Sequence, residues 1–130
     1  MRPRSPGRSA LSCLTKMATP ASAQGAKVTT PHPIDFRIAS QTPVIVEAKI
    51  VGRFSPVLAV RYAVGQLFEY RNFIGPKESL LCILLDTDPG NVLVEYVEQL
   101  GLLILWLTPQ GFFAGPETAA RLTSVHLTFR

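Results

Sequence analysis

Three apolar runs divided by turn residues limit what this chain can fold into. Residues 44–46, 80–85 and 102–107 are apolar without a break, as strands buried on both faces are. Asp-Thr-Asp-Pro-Gly at 86–90 ends the second run, and Thr-Pro-Gln-Gly at 108–111 ends the third. Such clusters are typical of strand ends. The runs therefore predict the central strands of a sheet.

Helical repeats occupy the segments between these runs. Apolar residues recur at helical spacing from residue 57 to residue 74, and Gly75-Pro76 follows them. A helix should therefore begin at Ser55 or Pro56 and end before Gly75. The full expectation is strands over 34–39, 44–50, 80–85, 102–107 and 125–129, and helices over 56–74, 91–100 and 116–122.

The central order β-β-α-β-α-β predicts an α/β fold with a small mixed sheet. Strands that are separated by helices pair in parallel and leave the helices on the faces of the sheet. The first two strands are joined by a short turn, so they should form an antiparallel hairpin.

The first 30 residues differ in composition from the rest. They carry five of the 13 basic residues and none of the nine acidic ones. They also have few large apolar side chains, too few to offset the entropy of ordering. We predict a disordered basic tail over 1–30 and a domain over 31–130. The tail is interpreted as an extension from an early start codon, as an arm for nucleic acid, or as a transit peptide.

Composition also bears on location. The longest apolar run, residues 102–107, is far shorter than the roughly 20 residues that a membrane-spanning helix needs. Cys13 and Cys82 suggest neither a disulfide framework nor a zinc site. The prediction is a cytoplasmic protein that does not enter a membrane, with Cys82 as a core residue.

Glu47 and Lys49 are the charged residues at the end of the first apolar run. Residues two apart in a strand point to the same face, so a carboxylate and an ammonium share a largely apolar face. Burying charges is costly unless they are paired or bind a metal. The two residues are therefore a candidate site, and a structural ion pair is the alternative.

The neighbouring residues add a resemblance to a known family. Asp35, then Glu47-Ala48-Lys49, then Gln66 and Tyr70 in a Q-x-x-x-Y helix resemble the PD-(D/E)XK nuclease superfamily over about residues 34–113. The likeness is greatest to the branch that includes RecB-like exonucleases. It implies a restriction-endonuclease-like core and metal-dependent hydrolysis of phosphodiester bonds in DNA, in defence or repair.

The resemblance also implies roles for single residues. Asp35, Glu47 and the carbonyl of Ala48 would hold Mg²⁺ or Mn²⁺, since Mg²⁺ prefers hard oxygen ligands. Lys49 would lie beside the metal-bound water, and Gln66 and Tyr70 would line the site. Basic side chains are candidate phosphate contacts, with a solvated face as the alternative: Arg53, Arg61, Arg71 and Lys77.

One departure from the family pattern leaves two functions open. Members usually have a helix before the first strand, where this chain has its tail. The expectation is that this helix is missing, and that a partner chain or a missing upstream segment completes the site. The alternative to a nuclease is an inactive or truncated nuclease-fold module that binds nucleic acid or protein.

Overall fold

The computed structural model describes residues 27–29, 36–39, 42–51, 55–127 and 129 of the 130. Within these ranges the chain has a mixed α/β fold. Asp35 and Arg53 lie outside the described residues, as does most of segment 1–30. The elements, in order, are β1 Lys27–Thr29, β2 Phe36–Ala39, β3 Val44–Lys49, α1 Pro56–Phe73, β4 Leu80–Leu85, α2 Asn91–Gln99, β5 Leu103–Thr108, β6 Gly111–Ala114 and α3 Pro116–Ser124.

The six described strands form one sheet in which their spatial order follows the chain. β1 and β2 pair antiparallel, as do β2 and β3. β3, β4 and β5 are parallel, and β6 returns antiparallel beside β5. The predicted hairpin and the predicted parallel pairs are confirmed. Right-handed crossovers between neighbouring parallel strands place α1 and α2 on the same face of the sheet.

Both faces of the central strands are buried. On the α1/α2 face, Ile45, Ile83 and Ile104 pack against buried residues of α1 and α2. On the opposite face, which we call the α3 face, Val46 and Leu84 pack with residues of α3 and the C-terminal segment. Since alternate side chains of a strand point to opposite faces, burial on both explains why the runs are apolar without a break.

Local signals fix the ends of α1 where the sequence predicts them. The Ser55 hydroxyl accepts a hydrogen bond from the Leu58 N–H at 3.2 Å, and Pro56 occupies the first turn, which are typical N-terminal features. At the other end Gly75 has φ +75°. Its N–H donates to the Tyr70 carbonyl at 2.9 Å, which closes the last turn.

Three sequence predictions differ from the structure. Residues 125–127 and 129 do not form the expected strand: His126 has φ 62° and the Leu127 N–H donates to the Leu122 carbonyl, which ends α3. Their apolar side chains are buried by this turn instead. β6 was not predicted. It forms because a two-residue turn after Thr108 returns the chain to the sheet beside β5. β1 lies inside segment 1–30, so three residues of the predicted disordered tail belong to the sheet.

Cys82 is a core residue, as predicted. Its side chain is fully buried on the α3 face. Burial raises the pKa of this thiol to about 12, because a thiolate would lose its hydration. At neutral pH Cys82 is therefore a protonated, unreactive core side chain.

A buried polar network joins α2, β5 and α3. The Thr118 hydroxyl donates to Glu98 Oε2 at 2.7 Å and accepts from the Ile104 N–H at 2.9 Å. Glu98 Oε2 also accepts from the Thr118 N–H. The N-cap of α3 is Gly115, which supplies no side-chain cap. A Cβ at Gly115 would lie 2.5 Å from Glu98 Oε2, so the glycine makes room for the carboxylate that caps the helix.

Replacing Thr118 with valine tests this network. Thr118→Val keeps the shape but leaves the buried Ile104 N–H without its acceptor, so the free energy of unfolding should fall by about 2 kcal/mol. Urea denaturation measures the change. Thr123→Val on the exposed side of α3 is the control, and its loss should stay within about 0.5 kcal/mol. Equal losses for the two variants would contradict the role of the network.

Candidate active site

Glu47 and Lys49 lie at the carboxyl end of β3, between two paired strands. In the parallel register Glu47 is opposite Ile83 and Lys49 is opposite Leu85. Ile45, two residues before Glu47, belongs to the core of the α1/α2 face. Strand alternation therefore places Glu47 and Lys49 on that face, as predicted. Glu47 is only 3% exposed.

The two side chains form an ion pair. Lys49 Nζ lies 3.3 Å from Glu47 Oε2, with the Lys49 side chain 24% exposed. A carboxylate loses its hydration when it is buried, and a nearby ammonium offsets part of that cost. The arrangement therefore combines a buried acid with a cation that still reaches solvent.

Gln66 and Tyr70 lie on the side of α1 that faces the sheet. Tyr70 packs against the core of the α1/α2 face. Gln66 Nε2 donates to Tyr70 Oη at 3.4 Å. Gln66 Oε1 is enclosed and has no hydrogen-bond partner among the described residues. Buried acceptors are nearly always satisfied, so this amide oxygen has capacity for a further ligand.

Tyr62 shares one line along the helix with these two residues but differs in burial. It precedes Gln66 by one turn and is 67% exposed. Along this line of the helix, Tyr62 is therefore exposed to solvent, whereas Gln66 and Tyr70 are partly buried.

The described basic residues do not converge on Glu47, Lys49 excepted. Arg61 is exposed on the outer side of α1. Arg71 donates to the Ser79 carbonyl at 3.4 Å and lies 5.2 Å from the centre of the Phe68 ring. Lys77 is exposed in the turn before β4. Arg71 and Lys77 are thus near the amino end of β4, and a six-residue strand of about 20 Å separates this end from Lys49.

Arg37 and Asp86 are positioning residues that sequence analysis did not find. Arg37 of β2 pairs with Ile45, and its guanidinium donates to the Gly75 carbonyl at 3.3 Å. This bond ties the end of α1 to the sheet. Asp86 Oδ1 accepts from the Val51 N–H at 2.9 Å, which joins the segment after Lys49 to the end of β4. Neither bond could be read without the strand register.

Two of the three predicted metal ligands, Glu47 and Ala48, lie within the described residues. Among the described residues no group of three or more His, Cys, Asp or Glu side chains could hold a metal ion. Glu47 and the Ala48 carbonyl are hard oxygen donors of the kind Mg²⁺ prefers, and the third predicted ligand, Asp35, lies outside the described residues.

The described helices include none that is long and apolar enough to cross a membrane.

Comparison with protein-family models, curated proteins and solved structures found no match to this chain.

The ion pair can be tested through stability. Lys49→Met removes the cation nearest to a buried carboxylate, so the free energy of unfolding should fall by roughly 2 kcal/mol, less than for a fully buried pair. The double variant Glu47→Gln/Lys49→Met should recover part of that loss. Lys77→Met, at an exposed lysine, is the control and should change little. A double-mutant cycle measures the coupling, and strictly additive effects would mean that the pair does not stabilise the fold.

Proposed function

We propose that this chain is a metal-dependent nuclease-like domain that hydrolyses phosphodiester bonds in DNA, in defence or repair. The observation that carries the proposal is the ion pair between the buried Glu47 and the partly exposed Lys49 at the carboxyl end of β3. Gln66 and Tyr70 lie on the inner side of α1, which packs on the same face of the sheet, with Tyr70 towards the other end of the strands. The PD-(D/E)XK resemblance expects these residue types on this strand and this helix.

The PD-(D/E)XK resemblance assigns Asp35 as the second acidic ligand. Phe36 pairs with Val46, the residue before Glu47. Asp35 directly precedes Phe36 in the sequence. The Asp35 and Glu47 carboxylates, with the Ala48 carbonyl, would supply oxygen ligands for Mg²⁺ or Mn²⁺. A bound divalent ion would lower the pKa of a water molecule and offset charge on the phosphate.

The other residues would orient the substrate and the water. The Lys49 ammonium lies next to Glu47 and still reaches solvent, so it can donate to a water or to a phosphate oxygen that approaches from outside. Charge that develops on the phosphate strengthens such a contact in the transition state. The enclosed acceptor of Gln66 can hold a water, and its bond to Tyr70 fixes the orientation of the amide.

DNA contacts away from the reacting phosphate are proposed for Arg53, Arg61, Arg71 and Lys77. Arg71 and Lys77 lie near the opposite end of the sheet from Lys49. They would therefore contact the DNA backbone at a distance from the cleaved bond, where contacts position the duplex.

The second candidate function is a nuclease-fold module without activity, which binds nucleic acid or protein. The ion pair favours it in one respect: Lys49 already neutralises Glu47 at 3.3 Å, as a structural pair would. Metal binding and cleavage distinguish the two functions.

Metal binding should appear as a shift in thermal stability. A ligand that binds only the folded state stabilises it, so Mg²⁺ or Mn²⁺ should raise the melting temperature of the wild type. Glu47→Gln should remove that shift, and Glu95→Gln on the exposed side of α2 should keep it. Equal shifts in the wild type and Glu47→Gln would exclude Glu47 as a ligand.

Cleavage assays test the enzyme directly. Lys49→Ala should reduce Mg²⁺-dependent cleavage by at least about 100-fold while binding is retained, because the lysine acts chiefly in the transition state. Gln66→Ala should reduce it less. The substrates should be single-stranded and double-stranded DNA, with RNA alongside. A folded wild-type protein that binds these substrates but cuts none of them, with either metal, would support the inactive module instead.

A further inference from the structure

Helix α1 carries large apolar residues beyond the side that faces the sheet. Its inner side, with Ala63 and Leu67 at the centre, is buried against the sheet. Its outer side, centred on Gly65, also carries apolar residues: Leu58 and Phe68 are each 38% exposed, and Tyr62 and Phe73 at the edge of this side are 67% and 80% exposed. Exposed apolar patches that polar residues border often mark surfaces that another protein covers. The outer side of α1 therefore has the composition of a surface that another protein covers.

Gly65 lies in the middle of this outer side. It is exposed, and a Cβ at this position would meet nothing within 4 Å. Apart from proline, glycine is the residue least favourable to a helix, and packing within the described residues does not require it here. The absence of a side chain does allow the backbone of a second helix to come close.

The residues around Gly65 are arranged symmetrically along the helix. Arg61 and Glu69 lie four residues before and after it, and Tyr62 and Phe68 lie three residues before and after it. All four are exposed. When two copies of the helix cross antiparallel on a two-fold axis at Gly65, each residue before the glycine faces its counterpart after the glycine in the other copy.

We propose that this chain forms a homodimer through the outer side of α1, with the two helices antiparallel and Gly65 at the crossing point. Arg61 of each copy faces Glu69 of the other, which takes Arg61 out of the set of DNA contacts when the dimer forms, and Tyr62 faces Phe68. One face of the Phe68 ring already contacts Arg71, and the rest is available. Val57 and Phe73, eight residues from Gly65 on either side and both exposed, extend the apolar contact.

The charges select this orientation. Arg61 and Glu69 are about 12 Å apart within one helix, and neither has an ion-pair partner among the described residues. An antiparallel crossing forms two opposite-charge pairs. A parallel crossing would place Arg61 beside Arg61 and Glu69 beside Glu69, which is repulsive. The second copy is therefore the occupant that matches both the shape and the charge of this surface.

The size of the surface predicts a weak dimer. α1 has 18 residues and is about 27 Å long, and a single helix face of this length is at the low end of stable interface areas. The dimer should therefore depend on concentration. Since contact is made by the outer side, the inner side with Gln66 and Tyr70 stays on its own sheet, and the inference does not depend on cleavage activity.

Charge reversal tests the orientation of the dimer. Sedimentation velocity of the full chain over a range of concentrations should show a monomer–dimer equilibrium. Arg61→Glu alone and Glu69→Arg alone should each raise the dissociation constant by about tenfold, because each replaces two attractive pairs with two repulsive ones. An equimolar mixture of the two variants should dimerise again, since every cross pair then joins opposite charges.

Two further variants complete the experiment. Glu95→Arg on the exposed side of α2 makes the same change in charge as Glu69→Arg and should leave dimerisation unchanged. Gly65→Gln should stabilise the monomer, because glutamine is the better helix former, and should abolish the dimer. Circular dichroism checks that each variant is folded. A wild type that remains monomeric at about 1 mM, or a mixture that does not recover dimerisation, would overturn the proposal.

Discussion

The parallel unit β3–β4–β5 must be covered on both faces, and the rest of the described fold follows from that requirement. Parallel strands need crossover helices, and α1 and α2 supply the cover of one face. The other face would remain open without α3 and the residues after it. Leu122, Leu127 and Phe129 cover it. The network of Thr118 and Glu98 fixes the start of α3 against α2 and β5, so one polar contact sets the position of the second cover.

In this environment the buried Glu47 carboxylate lowers the stability of the fold. At a site that is 3% exposed, an apolar side chain of similar volume would often stabilise the fold as well as an ion pair does, or better. Lys49 reduces the cost without removing it. A purely structural explanation must therefore explain why a charge is kept where a hydrocarbon would serve, whereas the proposed metal binding would give the carboxylate a use. The enclosed acceptor of Gln66 on the covering helix is a second unfavourable feature of the same face, and residues that break local rules tend to lie at functional sites.

The sequence predicted features that depend on local patterns. The bounds of β4 agree with the apolar run, and those of α1 with Ser55 and Gly75, because end signals act over a few residues. The shared face of Glu47 and Lys49 follows from the two-residue period of a strand. By contrast, the alternation of Val125, Leu127 and Phe129 suggested a strand. The same apolar residues are instead buried in the turn that follows α3, so the pattern alone does not distinguish the two structures.

Long-range features could not be read in this way. Glu98 and Thr118 are 20 residues apart, and only the packing of α2 against α3 joins them. The separation of Arg71 and Lys77 from Lys49 depends on which end of a strand each residue adjoins. Four basic residues close in sequence to the candidate site were therefore predicted as one set of phosphate contacts. In the structure, Arg71 and Lys77 lie near the opposite end of the strands from Lys49.

Helix α1 connects the candidate site with the proposed dimer. Arg37 and Ser55 fix its two ends, so its inner and outer sides have set positions on the sheet. A dimer that forms on the outer side would hold two sheets back to back across a pair of α1 helices. The carboxyl end of each β3 would then be related to the other by the two-fold axis. Since α1 runs back from the carboxyl end of β3 to the amino end of β4, an antiparallel pair of α1 helices would place the two β3 carboxyl ends at opposite ends of the dimer. Each candidate site would then be served by its own chain.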